Sequence, residues 1–357
     1  MKKIILTLSV FGLLACKQQK TALKFLDEYV VKDSLVIDNT VVGGISGIDF
    51  YNNNYYMVVD DATNPRILVG DIIVKNDSIQ SVNFEDVIIV DTISQFTKNH
   101  VLDLESVFVD KGIINLVSEG SIQYKKDPSI FEINADGSFK SEIAIPDYFK
   151  ATSKAKPKHN GVFESSSKSF DGKGFWVAME APLEADGEEP TFHETQSPIR
   201  ITYFDNESKK ATKQFAYQLE KIDKPAKGNI NLNGTTAILE YEKNHFFIIE
   251  RAYQSGYGSY GNVVRIFKAS INDASTNTLE IQSLKNEKYT PLKKELLLDF
   301  STVQSQLTDG IIDNIEAITL GPTLQNGNKS LILAADDNFQ LYGKQLNQFL
   351  LLEIEEK

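Results

Sequence analysis

Carboxylates recur in this chain at the ends of short apolar runs. Val58-Val59 leads into Asp60-Asp61, Val117-Ser118 into Glu119, Ala178-Met179 into Glu180, Ile248-Ile249 into Glu250 and Ala334-Ala335 into Asp336-Asp337, while Glu105, Glu164 and Glu316 open other runs. A lone acid at a strand end is ordinarily solvated. Acids brought together from equivalent places repel one another and persist only with protons or a cation. Oxygen donors with no thiolate and few histidines suit hard cations, Ca2+ first and Mg2+ or Mn2+ next. The predicted ligand set is Glu105, Glu119, Glu164, Glu180, Glu250, Glu316 and Asp336. Such carboxylates also serve as acceptors that fasten strands through backbone amides, and that use stays open.

A cation held by carboxylates can neutralise the oxygens of a phosphate ester and supply an in-line hydroxide. The arginines are scarce enough to be informative: Arg66, Arg200, Arg251 and Arg265. Arg66 and Arg251 each follow a run-ending acid, and guanidinium suits two-point recognition of phosphate or carboxylate. Glu105, Glu164, Arg66 and Arg251 are therefore the candidate catalytic group. Arg200 is a third anion clamp, and Lys158 and His159, in a loop with Lys154 and Lys156, are placed to steer an anionic substrate. Each arginine has an alternative use as an ion-pair partner of a nearby acid.

Other chemistries fail on spacing. The histidines, His100, His159, His193 and His245, lack zinc-ligand spacing, and Gly44-Ile45-Ser46-Gly47 misses the nucleophile elbow. Gly256-Tyr257-Gly258-Ser259-Tyr260-Gly261 matches a dinucleotide fingerprint but leads into the strand-like Val263-Val264-Arg265-Ile266-Phe267, so no helix follows to receive a pyrophosphate. It reads as an aromatic loop over a channel. The acidic stretch 181–198 reads as a second loop with solvated charge.

The elements that must position these residues form an internal repeat. A small residue, often after an acid, opens one apolar strand, and a second strand ending in an acid follows. Five copies begin near Gly43, Leu104, Phe163, Gly234 and Asn314, the fourth being weakest at its start. Two further strand candidates lie between copies, such as 66–74 with 82–90 and 129–133 with 141–145. Four strands per repeat is the β-propeller blade, whose innermost strands line a central channel. The prediction is an all-β propeller of five blades, six remaining open, with helix confined to short turns such as 147–152; a β-sandwich is the alternative. The last copy is followed by one clear strand, 346–354, so a strand over 23–31 should complete it and close the ring.

The first residues read differently. Met1-Lys2-Lys3 precedes an apolar stretch, 4–14, of signal-peptide length and too short to span a bilayer. It ends in Leu13-Leu14-Ala15-Cys16, which resembles the lipobox of bacterial lipoproteins, and Cys16 is the sole cysteine of the 357 residues. The expectation is a signal peptide over 1–15, lipidation at Cys16, a tether over 16–22 and one propeller domain over 23–357, exported and lipid-anchored to the cell envelope, at the outer membrane in preference to the inner. A formal charge of −12 and a pI near 5.0 argue against nucleic acid as a partner. The expected state is a monomer.

Gly43-Gly44-Ile45-Ser46-Gly47, Val59-Asp60-Asp61, Asp103-Leu104-Glu105-Ser106, Ser118-Glu119-Gly120, Asn160-Gly161-Val162-Phe163-Glu164, Ile249-Glu250-Arg251, Asn314-Ile315-Glu316-Ala317 and Asp336-Asp337-Asn338-Phe339, in that order, resemble the family called "esterase-like activity of phytase". The resemblance runs from about Gly43 to Ile354. It implies an exported propeller and hydrolysis of phosphoesters or esters. Where that family tends to have Glu-Gly, this chain has Glu105-Ser106, Glu164-Ser165 and Glu316-Ala317. A binding propeller of the envelope, without catalysis, is the competing expectation.

Overall fold

Each repeat folds into a four-stranded antiparallel sheet in the computed structural model, which describes residues 21–356. After the N-terminal strand β1 (Thr21–Val31) and a small hairpin, β2 (Val36–Ile37) and β3 (Thr40–Val41), comes the first blade: β4 (Ile45–Tyr51), β5 (Asn54–Val59), β6 (Arg66–Lys75) and β7 (Ser78–Ile89). The second is β8 (Leu104–Asp110), β9 (Ile113–Ser118), β10 (Ser129–Ile133) and β11 (Phe139–Ile143). The third is β12 (Phe163–Lys168), β13 (Gly174–Met179), β14 (Pro198–Asp205) and β15 (Lys210–Gln218). The fourth is β16 (Asn231–Glu242), β17 (His245–Gln254), β18 (Asn262–Ser270) and β19 (Lys293–Asp299). The fifth takes β20 (Asn314–Leu320), β21 (Lys329–Asp336) and β22 (Asn347–Glu356) from the C-terminal end and β1 from the other, in the order β1-β22-β21-β20.

The inner strands touch in a closed series, β4 to β8 to β12 to β16 to β20 and back to β4. This is a five-bladed propeller and not a sandwich. β1 pairs with β22 from Thr21 opposite Glu356 to Val31 opposite Asn347, so the expected closing strand is present. It starts at Thr21, which places the last two residues of the expected tether inside the sheet. Cys16 and the signal-peptide stretch lie outside the described residues. Among those residues one α-helix occurs, α1 (Gln95–Asn99), and the expected turn at 147–152 is a 3-10 turn over Asp147–Phe149.

The blades are apolar on both faces because each is covered by two neighbours. Second strands such as β13 and β21 are buried almost throughout, which is why the sequence shows apolar runs there instead of clean alternation. Aromatic pairs bridge neighbouring blades: Phe108 with Phe175, centroids 4.8 Å apart, and Trp176 edge-on to Phe246 at 5.1 Å. Carboxylates fasten them as well. Asp49 of β4 accepts from Val109 N at 2.8 Å and from Lys168 Nζ at 2.7 Å, and Glu240 of β16 accepts from Trp176 Nε1 at 2.9 Å.

The first hairpin of every blade carries a β-bulge at the same place. Register shifts fall between Ile45 and Gly47, Leu104 and Ser106, Phe163 and Ser165, Thr235 and Ala237, and Ile315 and Ala317. A bulge leaves one residue unpaired and re-aims its side chain. In the five blades that residue is Ser46, Glu105, Glu164, Thr236 or Glu316. Gly47 follows the first bulge because a Cβ there would stand 2.9 Å from Ser106 Cα of the next blade.

Candidate functional site at the channel mouth

Two tiers of side chains meet where the inner strands converge. The bulge residues form the first. Ser46 Oγ donates to Leu104 O at 2.7 Å and Thr236 Oγ1 to Ile315 O at 2.8 Å, so these two hydroxyls are spent on the next blade's backbone. Glu105, Glu164 and Glu316 hold the other three positions, all buried.

The second tier is the residue at the inner end of each blade's second strand. Asp60 N donates to Gly44 O, Glu119 N to Asp103 O and Glu180 N to Val162 O, while Arg251 pairs opposite Gly234 and Asp336 opposite Asn314. Asp60, Glu119, Glu180, Arg251 and Asp336 are therefore equivalent. Arg251 reaches both tiers: its Nη2 lies 3.4 Å from Glu180 Oε1 and 3.4 Å from Glu316 Oε1.

The two tiers hold seven carboxylates and one guanidinium, and burial together with this imbalance raises the carboxyls. Burial, then Asp103 and Asp336 beside it, pushes Asp60 up to about 9. Burial with Glu180 and Asp103 lifts Glu119 to about 9. Glu316 is raised to about 8 by burial, partly offset by Arg251. Glu105, Glu164 and Asp336 are raised well above the ordinary carboxylate range, burial first and neighbouring carboxylates second. Glu180 is raised less because Arg251 opposes its burial. The acids do converge, as the repeat implies.

The oxygens of Asp60, Asp103 and Glu105 lie within 4.8 Å of one another. Three carboxylates this close, with no nitrogen or sulfur donor among them, fit a hard divalent cation. Asp103 was missing from the predicted set. Its signal is its place just before β8, two residues ahead of the bulge acid Glu105.

Glu250 is not brought to the others. It sits one residue before the ring position held by Arg251, and one step along a strand turns the side chain to the opposite face. There it accepts from Tyr217 Oη at 2.7 Å, Asn233 Nδ2 at 2.8 Å and Glu220 N at 2.9 Å, and pairs with Lys294. Its use is the fastening one.

The other candidate cations separate. Arg200 is fully buried and bound to Asp186 at both ends, Nε to Oδ2 at 2.6 Å and Nη2 to Oδ1 at 2.7 Å; Gln214 Oε1 and Ile281 O, each at 2.9 Å, complete it. With four of its five N–H donors spent inside the fold, Arg200 is a structural arginine, and Asp186 shows that the 181–198 loop is not wholly solvated. Arg66 is buried too. Its Nη1 donates to Asp61 Oδ2 and Asn64 O at 2.8 Å, and its guanidinium lies over the Phe339 ring, 5.5 Å from the centroid. Lys158 pairs with Glu189 at 2.9 Å and His159 is exposed. Their loop borders the site through Gly161 N, which donates to Glu119 Oε2 at 3.1 Å. Arg251 alone of the predicted cations stands in the acid ring.

Beside Arg251 a cavity of about 530 Å3 opens, walled in part by the Gly256–Ser259 loop and by Asn338, Tyr342 and Gln345. The glycine-rich loop thus lies at the channel mouth, as its sequence context implies. The opposite wall is shaped by a turn of left-handed non-glycine residues, Asn338, Phe339 and Gln340. Asp337 fixes that turn by accepting from Gly44 N at 2.8 Å and from Phe339 N at 3.2 Å. Gly44 has φ 65°, and a Cβ on it would lie 2.6 Å from the Phe339 ring.

The sequence pattern of the phytase-like family described as "esterase-like activity of phytase" matches residues 40–339. No curated protein sequence matches the chain. Among solved structures it is similar to a thermostable family-43 glycoside hydrolase, at 10% identity over 88% of this chain and 90% of that one with a TM-score of 0.49. It is also similar to the PQQ-bound aldose sugar dehydrogenase of Streptomyces coelicolor, at 7% identity over 94% and 99% with a TM-score of 0.40.

Proposed function

Because this chain belongs to the phytase-like family described by its esterase-like activity, we propose that it is a cation-dependent hydrolase of phosphoesters or esters, acting at the acid-lined end of its channel. The observation that carries the reading is the joining of Asp60, Asp103 and Glu105 within 4.8 Å, in the same two tiers of side chains in which Arg251 pairs with Glu180 and Glu316. Asp60, Asp103 and Glu105 would hold the cation, with Ca2+ the first choice for an all-oxygen set. Bound there, a divalent cation supplies charge for the ester oxygens and lowers the pKa of a water.

The chain's own groups do the rest. Arg251 orients the anion, since its donors face the ring and its partners are at ion-pair distance and no closer. Glu164 and Glu316 are the acid and base candidates: buried carboxyls with raised pKa hold a proton near neutral pH and can release it to a leaving oxygen. Apolar blade interiors around them limit water and strengthen each electrostatic contact.

The test is hydrolysis of p-nitrophenyl phosphate and p-nitrophenyl acetate by soluble protein, with Ca2+ and with chelator. Turnover that chelator abolishes and Glu164→Gln removes supports the proposal; no turnover of either ester under any cation overturns it. A binding propeller without catalysis is the second reading, favoured by the cavity of about 530 Å3 beside Arg251 and the exposed Tyr342 that lines it.

We further propose that the protein is exported and held on the envelope by lipid on Cys16. The lipobox-like Leu13-Leu14-Ala15-Cys16 supports this, and no described helix is long and apolar enough to cross a membrane. A Cys16→Ser variant that stays wholly in the membrane fraction sinks the anchor.

A further inference from the structure

The far end of the channel, opposite the acid ring, is built differently from the mouth. There the first and second strands of each blade turn back on one another, at 52–53, 111–112, 169–173, 243–244 and 321–328. Three of the five blades leave a large apolar side chain open at this end: Phe50, 41% exposed, Phe170, 56%, and Leu320, 37%. Lys168 Nζ lies 3.4 Å from Phe50 O and its chain continues to Phe170, so the two phenylalanines share one surface. Exposed lysines flank them, Lys111, Lys173, Lys243 and Lys329, interleaved with Asp171 and Glu242. Apolar tips among lysines whose long stems can reach past them to phosphate suit the boundary between lipid and water.

The N-terminal strand leaves the fold on the same side. β1 runs from Thr21, opposite Glu356, to Val31, opposite Asn347. Asn347 follows Leu346, whose N–H donates to Asp313 in the wall of the mouth cavity, so Thr21 is at the far end. Its Oγ1 lies 3.5 Å from Tyr241 Oη and accepts from Lys268 Nζ at 3.1 Å, next to the 243–244 turn. Residues 17–20 alone separate Cys16 from Thr21, five peptide steps that span at most about 18 Å at full extension. We propose that the turn face lies flat on the lipid surface in which Cys16 is anchored, with Phe50, Phe170 and Leu320 against the headgroups and the acid ring turned to water. A long tether would leave the orientation free, and one this short does not. β8 has seven residues at about 3.3 Å each, so the ring stands roughly 20 Å above the lipid. The inference rests on the reading of Cys16 as the lipidated residue, and it adds a direction: what enters the mouth comes from water and not from the membrane that holds the protein.

The chain has no cysteine besides Cys16, whose thiol the lipid consumes, so a cysteine introduced elsewhere takes a fluorophore alone. The full-length lipidated protein is labelled in turn through Lys173→Cys and Lys243→Cys on the turn face and Lys227→Cys and Leu341→Cys at the mouth. Each is reconstituted in vesicles of phosphatidylethanolamine and phosphatidylglycerol, a fraction of whose headgroups carry a nitroxide. Loss of most of the emission at Lys173 and Lys243, with Lys227 and Leu341 unchanged, is the expected result. Quenching at Lys227 or Leu341, or equal quenching at all four, overturns the proposal. Quenching at Lys243 alone also overturns it, because the propeller would then stand on the edge near Thr21. Loss of emission at Lys173 that needs no nitroxide lipid and grows with protein density would assign the face to a second copy of the chain instead. A protein that carries no lipid and stays in the soluble fraction sinks the anchor and this orientation together; a lipidated protein with its mouth labels quenched sinks the orientation alone.

Discussion

At the scale of single residues, position along a strand decides what a carboxylate is for. Glu250 and Arg251 are neighbours in sequence and opposite in function, the first tied to Tyr217 and Lys294, the second alone among acids. Replacing Glu316 by Gln keeps its shape and removes one repelling charge. The cation-free protein should then be more stable at pH 9 by roughly 1–2 kcal/mol, and the melting increment given by Ca2+ should shrink. Calorimetric melts of both proteins with and without Ca2+ check this, and equal melting in chelator would refute mutual repulsion. Arg200 makes a contrasting case. Arg200→Met strands Asp186 in the interior and should cost about 3–5 kcal/mol in a denaturant titration while leaving the ester turnover of the folded protein unchanged. A loss of turnover with normal stability would restore Arg200 as a substrate contact.

What the sequence allowed at this scale follows from strand geometry. The acids of four blades were legible because each ends an apolar run and apolar runs are what a doubly covered inner strand produces. Glu250 was misplaced because in the fourth blade the run Phe246-Phe247-Ile248-Ile249 gives no alternation from which to set its phase. Arg66 pairs with Asp61, the acid it follows, which is the alternative use its position left open; the partner of Arg200 was not legible. Arg200 meets Asp186 across a long loop, and no local spacing encodes that contact.

At the scale of elements, the closing strand carries the sharpest expectation. Without β1, the whole length of β22 would present unpaired amides and carbonyls, the open edge that sheet proteins avoid. A protein lacking 21–31 should melt well below the parent and elute as aggregate in size-exclusion chromatography, whereas removing 17–19 should change neither. Identical behaviour of the two truncations would contradict closure by β1. The propeller itself was readable from the five-fold recurrence and the shortage of strands after the last copy. The bulges were not, because a bulge leaves no mark in an apolar pattern until the partner strand is known. They supply the only visible reason why Glu105, Glu164 and Glu316 share one tier.

At the scale of the whole molecule, the channel couples acidity to folding. Carboxyls that hold protons up to about 8 or 9 in the folded chain, Glu316, Asp60 and Glu119, release them near 4 when it unfolds. The folded state binds more protons across that window, so stability in chelator should be greatest near its lower end and fall as pH rises through 8 to 9. Saturating Ca2+ should flatten the decline, by about 2.7 kcal/mol at a hundredfold excess over Kd. Melting temperatures from pH 5 to 9 measure both curves, and a profile that climbs with pH in chelator would show that the acids are ionised and otherwise compensated.

The sharing of the fifth blade between β1 and β22 also orders events in time. β1 precedes the four complete blades in the chain and β22 follows them, so Tyr29 must wait for Phe349 while all four are translated. Four blades are complete in themselves and can assemble as they emerge; the fifth cannot, and its first strand stays an unmatched template until β22 appears. The ring is therefore shut only when β22 is made, and a ribosome stalled anywhere upstream of it leaves a half-made molecule with a sticky strand still unpaired.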